Sequence, residues 1–192
     1  MELAYKMFNT DLSCTLGRGK YQYEPGKWYE ETGKEANVRH NGYHVCKNPL
    51  DCFGYYHDID SGQMWRVVID GDIDEAENDS ALSAQKIKLK HRMSLVEIVA
   101  HAIKYICDNK QEKYNSNVTE GPATANSNHF AISVSADPRA RGQMGDVLGL
   151  LRRPEGSRSI IEAAMYVVDG IEIMPGTWYD IAGEEVRDDK ES

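Results

Sequence analysis

His40, His44, Cys46, Cys52 and His57 place five side chains with metal-binding or nucleophilic chemistry within eighteen positions. If Tyr43 to Cys46 is extended, His44 and Cys46 project to one face, because side chains alternate along a strand. Two ligands on one face, completed by Cys14, Cys52 or His57, would suit tetrahedral zinc. The spacing H-x3-H-x-C-x5-C-x4-H matches no established zinc module. Small buried cysteines and a hydrogen-bonded histidine account for the same residues. The reading adopted is therefore that no metal and no cofactor is required, with His40, His44, Cys46 and Cys52 as the ligand set should zinc bind. A second chemistry is a Cys46 thiolate activated by His44 or His57. A nucleophile in a strand interior is poorly accessible, so no catalytic residue is assigned and the chain is read as a binder ahead of an enzyme.

Two further constellations can carry binding. Asp70, Asp72, Asp74, Glu75, Glu77 and Asp79 fall within ten positions that contain no Lys or Arg. Their order is not that of an EF-hand loop, so a calcium site is not expected. They read as a solvated loop after a strand or, functionally, as an acidic patch that can meet a basic groove on a partner by complementary potential. Tyr5, Tyr21, Tyr23, Tyr43, His44, Tyr55 and Tyr56 are the candidate walls of a pocket, since Tyr-rich strand faces can stack a base or nucleotide. No phosphate loop, dinucleotide fingerprint, nucleophile elbow or kinase motif is present, and Gly17-Arg18-Gly19-Lys20 precedes no helix.

The whole-chain balance narrows the partner. In 192 residues, 22 Lys and Arg face 31 Asp and Glu, a net charge of −9. Duplex nucleic acid is not an expected partner, because backbone affinity comes from clustered cations. Hydrophobic content of 41% and charged content of 28% are those of a globular protein. No apolar run approaches the roughly 18 residues of a membrane span, and Met1-Glu2-Leu3 opens no secretory leader, so no membrane association and a cytoplasmic location are expected.

The elements that must position these residues are mostly short strands. Leu3 to Phe8, Tyr43 to Cys46, Met64 to Ile69 and Lys86 to Lys90 are apolar or alternating bursts bounded by turn residues. Glu24-Pro25-Gly26 has the Pro and Gly of a type II turn and predicts a hairpin between Tyr21–Tyr23 and Trp28–Tyr29. Asn48-Pro49 predicts an N-cap with Pro at N1, opening a short helix through Leu50, Phe53 and Tyr56. Ser94 to Glu97 fits a capping box. Behind it, Leu95, Ile98, Val99, Ala102, Ile103 and Ile106 make one apolar stripe at helical spacing. These elements predict an α+β fold: an N-terminal antiparallel strand meander with one packed amphipathic helix over residues 1–110, a linker at 111–128, a β-rich solenoid-like segment at 129–186, and a frayed tail at 187–192. Asp169-Gly170 and Ala182-Gly183 predict hairpins in the last segment.

The chain also resembles a family of proteins encoded by phages and prophages. The residues that carry this are Tyr5-Lys6-x-Phe8-Asn9-x-Asp11-Leu12-x-Cys14, Tyr21-x-Tyr23-Glu24-x-Gly26-Lys27-x-Tyr29, Asn41-Gly42-Tyr43-His44-x-Cys46-x-Asn48-Pro49-Leu50-Asp51 and Tyr55-Tyr56. They continue through Val167-Val168-Asp169-Gly170, Thr177-Trp178-Tyr179 and Gly183-Glu184. The family has Phe at the position of Tyr43 and a further Cys near Arg39, which this chain lacks. The resemblance implies an N-terminal α+β module, a repetitive β segment and a mobile-element origin, and it supplies no activity. Two function classes follow. One is a binding protein that antagonises a host process, such as an inhibitor of a CRISPR effector, with a host protein or nucleoprotein complex as partner. The other is an ADP-ribosyltransferase-like or other nucleotide-binding enzyme, to which the Tyr-rich strands and the Gly-Tyr-His-x-Cys segment are similar.

Overall fold

Apolar bursts punctuated by turn residues become antiparallel strands in the computed structural model, which describes residues 1–15, 19–33, 35–38, 40–56, 58–77, 79–110 and 113–187. The chain divides into two units, Met1–Ser94 and Leu95–Ser192. The first contains β1 (Glu2–Asn9), β2 (Ser13–Cys14), β3 (Tyr21–Gln22), β4 (Trp28–Glu30), β5 (Tyr43–Cys46), β6 (Gly62–Glu75) and β7 (Ala81–Arg92).

β6 is paired along its length, with β1 over its first half and with β7 through most of its course. β7 pairs on its other side with β4 and β5, and β5 meets β1 where Cys46 faces Tyr5. The neighbours therefore form a closed circuit of antiparallel strands. So tight a circuit needs strong local twist, which β-bulges supply. β6 and β7 shift register twice, between Arg66 and Val67 and between Asp70 and Ile73. Gly71 lies in the second shift at φ 79°, a left-handed conformation in which a Cβ would also stand 2.7 Å from the Gln85 side-chain oxygen. Inside the circuit Phe8, Val45, Val67, Ile69, Leu82 and Ile87 belong to one buried cluster.

Three expectations change here. β6 does not end at Ile69 but runs to Glu75, so the first four carboxylates of the acidic run sit on a strand rather than in a solvated loop. The Glu24-Pro25-Gly26 turn forms, with Gly26 at φ 78°, yet its flanks do not pair as a hairpin. β3 pairs with β2 and β4 with β7, because the longer β7 offers the exposed edge. The Asn48 side chain caps Leu50 N–H at 3.1 Å with Pro49 following, as the sequence indicates, but the helix it opens is 3-10 over Pro49–Gly54.

The second unit begins with α1 (Leu95–Asp108), followed by β8 (Ala123–Thr124), β9 (Phe130–Ser135), β10 (Ala140–Arg141), β11 (Val147–Arg152), β12 (Glu162–Val167), β13 (Trp178–Tyr179) and β14 (Glu185–Val186). Ala123 pairs with Ala140 and Phe130 with Val147, both in parallel and both at an offset of 17 residues. A constant offset along parallel neighbours is one turn of a coil. β12 then closes β11 in antiparallel fashion, and the β13–β14 hairpin closes β10. The Ala182-Gly183 hairpin is present, whereas Asp169-Gly170 makes a side-chain-capped turn: the Asp169 carboxylate accepts from the N–H groups of Ile171, Glu172 and Ile173 at 2.8, 2.9 and 3.1 Å.

The helix stripe is buried at Ile98, Val99, Ala102 and Ile106 and half-buried at Leu95 and Ile103. The helix belongs to this second unit, not to a 1–110 module with the N-terminal strands. Gly149 on β11 explains why: with no Cβ, it lets Ile103 approach to 3.1 Å of where that atom would stand. The expected 111–128 linker is also partly sheet, since β8 lies in it and Thr119 bridges Ser133. Of the expected tail, Arg187 is described and 188–192 lie outside the described residues.

Ile103→Ala should lower the stability of the second unit by about 2 kcal/mol in denaturant unfolding, the low end for such truncations because the side chain is half-buried. Gly149→Val should cost about 1–3 kcal/mol by overpacking against Ile103 and Ile132. Unchanged midpoints for both would remove the helix from this packing.

Candidate functional site

Tyr21, Tyr23, Tyr29 and Tyr43 come together on one side of the first unit with Phe8. Adjacent rings meet edge-on or tilted at centroid distances of 4.9 to 6.3 Å. Such arrangements satisfy the ring quadrupoles and leave no slot between the faces. The hydroxyls are used as well. Tyr21 and Tyr43 hydrogen-bond at 3.3 Å, Glu24 N–H donates to the Tyr29 hydroxyl at 2.7 Å, and Tyr56 donates to the Cys14 sulfur at 3.3 Å. Burial pushes the phenols of Tyr23 and Tyr43 well above their ordinary range. Of the candidate pocket residues, Tyr21, Tyr23 and Tyr43 meet directly and Tyr56 borders them. Tyr5 pairs across β6 with Arg66, exposed Tyr55 ends the 3-10 helix, and His44 alternates away from Tyr43. The seven do not line one pocket; the rings serve as packing.

The histidine and cysteine cluster is likewise divided. Cys46 and Cys52 are buried, and the neighbouring Cys52 side chain, then burial, pushes the Cys46 thiol far up. Such a thiol is a poor nucleophile at neutral pH. Burial, and next the Lys6 ammonium, lowers the pKa of His44, which favours the neutral imidazole. Lys6, itself buried, donates to the His44 carbonyl at 2.7 Å. His40 is exposed and His57 lies outside the described residues. Among the described residues, no group of three or more His, Cys, Asp or Glu side chains is gathered to hold a metal ion.

The acidic run is built into its surroundings. Asp70 pairs with the chain's N-terminal ammonium at 3.2 Å and Glu75 pairs with Lys47. Asp72 accepts from Ala36 N–H and Asp74 from Val38 N–H, each at 2.7 Å, so alternate residues of β6 hold the segment 35–38. Asp79 accepts from Ala81 N–H at 2.9 Å, and Glu77 is exposed.

Two features escaped the sequence reading. In the second unit a polar groove of about 350 Å³ is lined by Thr124, Ala125, Arg141, Gly142, Gln143, Asp146 and Gly176. Its buried Asp146 carboxylate accepts from Gln143 N–H at 2.7 Å and meets His129 Nδ1 at 3.3 Å. The Arg141 guanidinium stacks on Trp178 at 4.6 Å. These residues are far apart in sequence, and only the 17-residue offset that relates His129 to Asp146 and Thr124 to Arg141 would have joined them. The second feature is the outer face of β7, signalled by the alternation of Lys86, Lys88 and Lys90.

Two outcomes check this geometry. Cys107 is the exposed thiol of the four. A thiol reagent on the native protein should therefore react quickly with one equivalent, and with the other three on unfolding. A fast second equivalent at Cys46 would restore the nucleophile reading. Asp72→Ala and Asp74→Ala should each cost about 1 kcal/mol and speed hydrogen exchange at Ala36 and Val38 respectively; unchanged exchange would show that these carboxylates do not hold the segment.

No helix among the described residues is long and apolar enough to cross a membrane. No curated protein and no solved structure matches the sequence. Residues 2–101 match the family described as a domain of unknown function, DUF7666. The match takes in the closed strand circuit and α1 as far as His101, just over half of the 192 residues, and on that extent the chain belongs to the DUF7666 family.

Proposed function

We propose that the chain is a binding protein of mobile-element origin, acting in the host cytosol, that occupies the surface of a host protein or nucleoprotein complex and so antagonises it. A CRISPR effector is a suitable target, because its nucleic-acid channel is a basic groove. The observation that carries this reading is the way Asp72 and Asp74 are held. Each accepts a hydrogen bond from a neutral backbone N–H, which fixes the carboxylate in place without cancelling its charge. Fixed charges along a strand are preorganised, so less ordering entropy opposes association. Their summed field steers a basic partner.

The nucleotide-enzyme alternative has less support, since the tyrosines that would wall its pocket are taken up by mutual packing.

The anchoring also selects the test. Truncating Asp72 or Asp74 would release 35–38 along with the charge, and Glu75 is already paired with Lys47, so Asp72→Asn with Asp74→Asn is the cleaner variant: the amide oxygen still accepts from the Ala36 and Val38 N–H groups while the charge is lost. The full chain, immobilised, is exposed to host lysate, captured partners are identified by mass spectrometry, and their association rates are measured at low and high ionic strength. The double variant should associate more slowly and with a weaker salt dependence, at an unchanged melting temperature. An unchanged rate and salt dependence would remove the acidic strand from the mechanism. Turnover of a nicotinamide nucleotide by the purified chain would move the reading to the enzyme class.

A further inference from the structure

Strand register sets a row of residues across the outer face of the first unit's sheet. Leu3 lies opposite Val68, Val68 opposite Lys88, and Lys88 opposite Trp28. Directly opposed residues project from the same face. Their chain neighbours Ala4, Val67, Ile69, Ile87, Leu89 and Tyr29 fill the buried cluster, so this row faces away from it. Leu3 is 52% exposed and Trp28 41%, so an aliphatic side chain and an indole stand open on this face. The Lys88 ammonium lies over the Trp28 ring, 5.9 Å from its centroid.

The charges around the row are unequal. On one side Asp70, Lys86 and Glu30 stand opposite one another and are matched: Glu30 pairs with Lys86 at 3.1 Å and Asp70 with the N-terminal ammonium at 3.2 Å. On the other side Arg66 follows Val68 on the same face, and Lys90 stands exposed at the register shift. Arg66, Lys88 and Lys90 have no carboxylate partner among the described residues, and the Arg66 Nε is buried without a hydrogen-bond partner. A chain of net charge −9 thus keeps a cluster of uncompensated cations beside an exposed indole.

We propose that this face binds a single-stranded nucleic acid, with phosphates on Arg66, Lys88 and Lys90 and a base stacked on Trp28. Lys88 and Lys90 are two residues apart on β7, a spacing of about 7 Å along a strand, and Arg66 lies beside them on β6, so the three cations make a short cluster that an extended polyanion can follow. An aromatic platform among cations is the arrangement that holds unpaired bases irrespective of sequence. In a duplex the base faces are stacked on one another and closed to a side chain, which leaves the unpaired strand as the form whose bases can reach the indole. An acidic peptide would match the cations but brings no flat ring to Trp28, so the nucleic acid is the better fit. The surface is separate from the acidic end of β6 and opposite in sign, and the proposed antagonist role neither requires it nor fails with it.

The test is fluorescence anisotropy of labelled oligodeoxythymidylate and oligouridylate titrated with the full chain. Saturable binding is expected, weakening with salt along a log–log slope of about −2 for three phosphate contacts. Lys88→Gln with Lys90→Gln should flatten that slope to roughly −0.7, as two contacts are lost. Trp28→Ala should weaken binding about tenfold, within the range for loss of one stacked base, and Trp28→Phe should recover most of it. Melting curves of all variants should overlay that of the parent. Absence of binding to both oligomers, affinity unmoved by the lysine substitutions, or displacement of the oligomers by polyglutamate as effective as by unlabelled oligomer would overturn the proposal.

Discussion

The first unit depends on one strand having neighbours on both edges. β6 gives its first half to β1 and most of its length to β7, while β5 links those two strands on the far side. A circuit this small cannot be made from flat strands; the twist comes from the two register shifts between β6 and β7, and the second is possible because residue 71 is Gly. Everything proposed about the unit follows from the closure. It removes most of the free edge that an open sheet would expose to aggregation. It also divides each strand into an inward and an outward set.

The inward set explains the aromatic character of the N-terminal third. Phe8, Tyr23, Tyr29 and Tyr43 are all buried and meet within about one ring diameter. Large rings with a polar tip suit a small enclosed volume whose rim still offers hydrogen-bond partners. The outward set separates charge by sign: the carboxylates from Asp72 onward lie within or beyond the second shift, and Arg66, Lys88 and Lys90 lie before it or at the first. A net charge taken over the chain averages these regions away, although binding responds to the local field.

The second unit solves a different problem. Its parallel pairs at an offset of 17 residues amount to little more than one coiled turn, and so short a stack has open ends. Here the antiparallel β12 and the β13–β14 hairpin close one side. α1 packs on the coil where Gly149 leaves room for Ile103. The Asp169 turn, with three backbone N–H groups on one carboxylate, fixes the return between them.

By itself the sequence determined the local elements. The bursts at Leu3 to Phe8, Tyr43 to Cys46 and Phe130 to Val134 are strands, the 95–106 stripe is a helix, and Asn48-Pro49 is a cap, because alternation, helical spacing and cap chemistry act within a few residues of themselves. It did not determine what each element packs against. The helix stripe reads the same whether it covers N-terminal strands or β11, and the choice rests on a missing Cβ at Gly149, some fifty positions away. The acidic run looked solvated because charge is read one residue at a time, yet β6 carries it onward since β7 supplies hydrogen-bond partners and 35–38 supplies N–H donors to Asp72 and Asp74. His44 and Cys46 were correctly placed on one face, but whether a neighbour makes a thiol reactive or inert depended on Cys52 and on burial. The outer row from Leu3 to Trp28 joins four strands by register alone, and register is a property of paired backbones that no single segment contains.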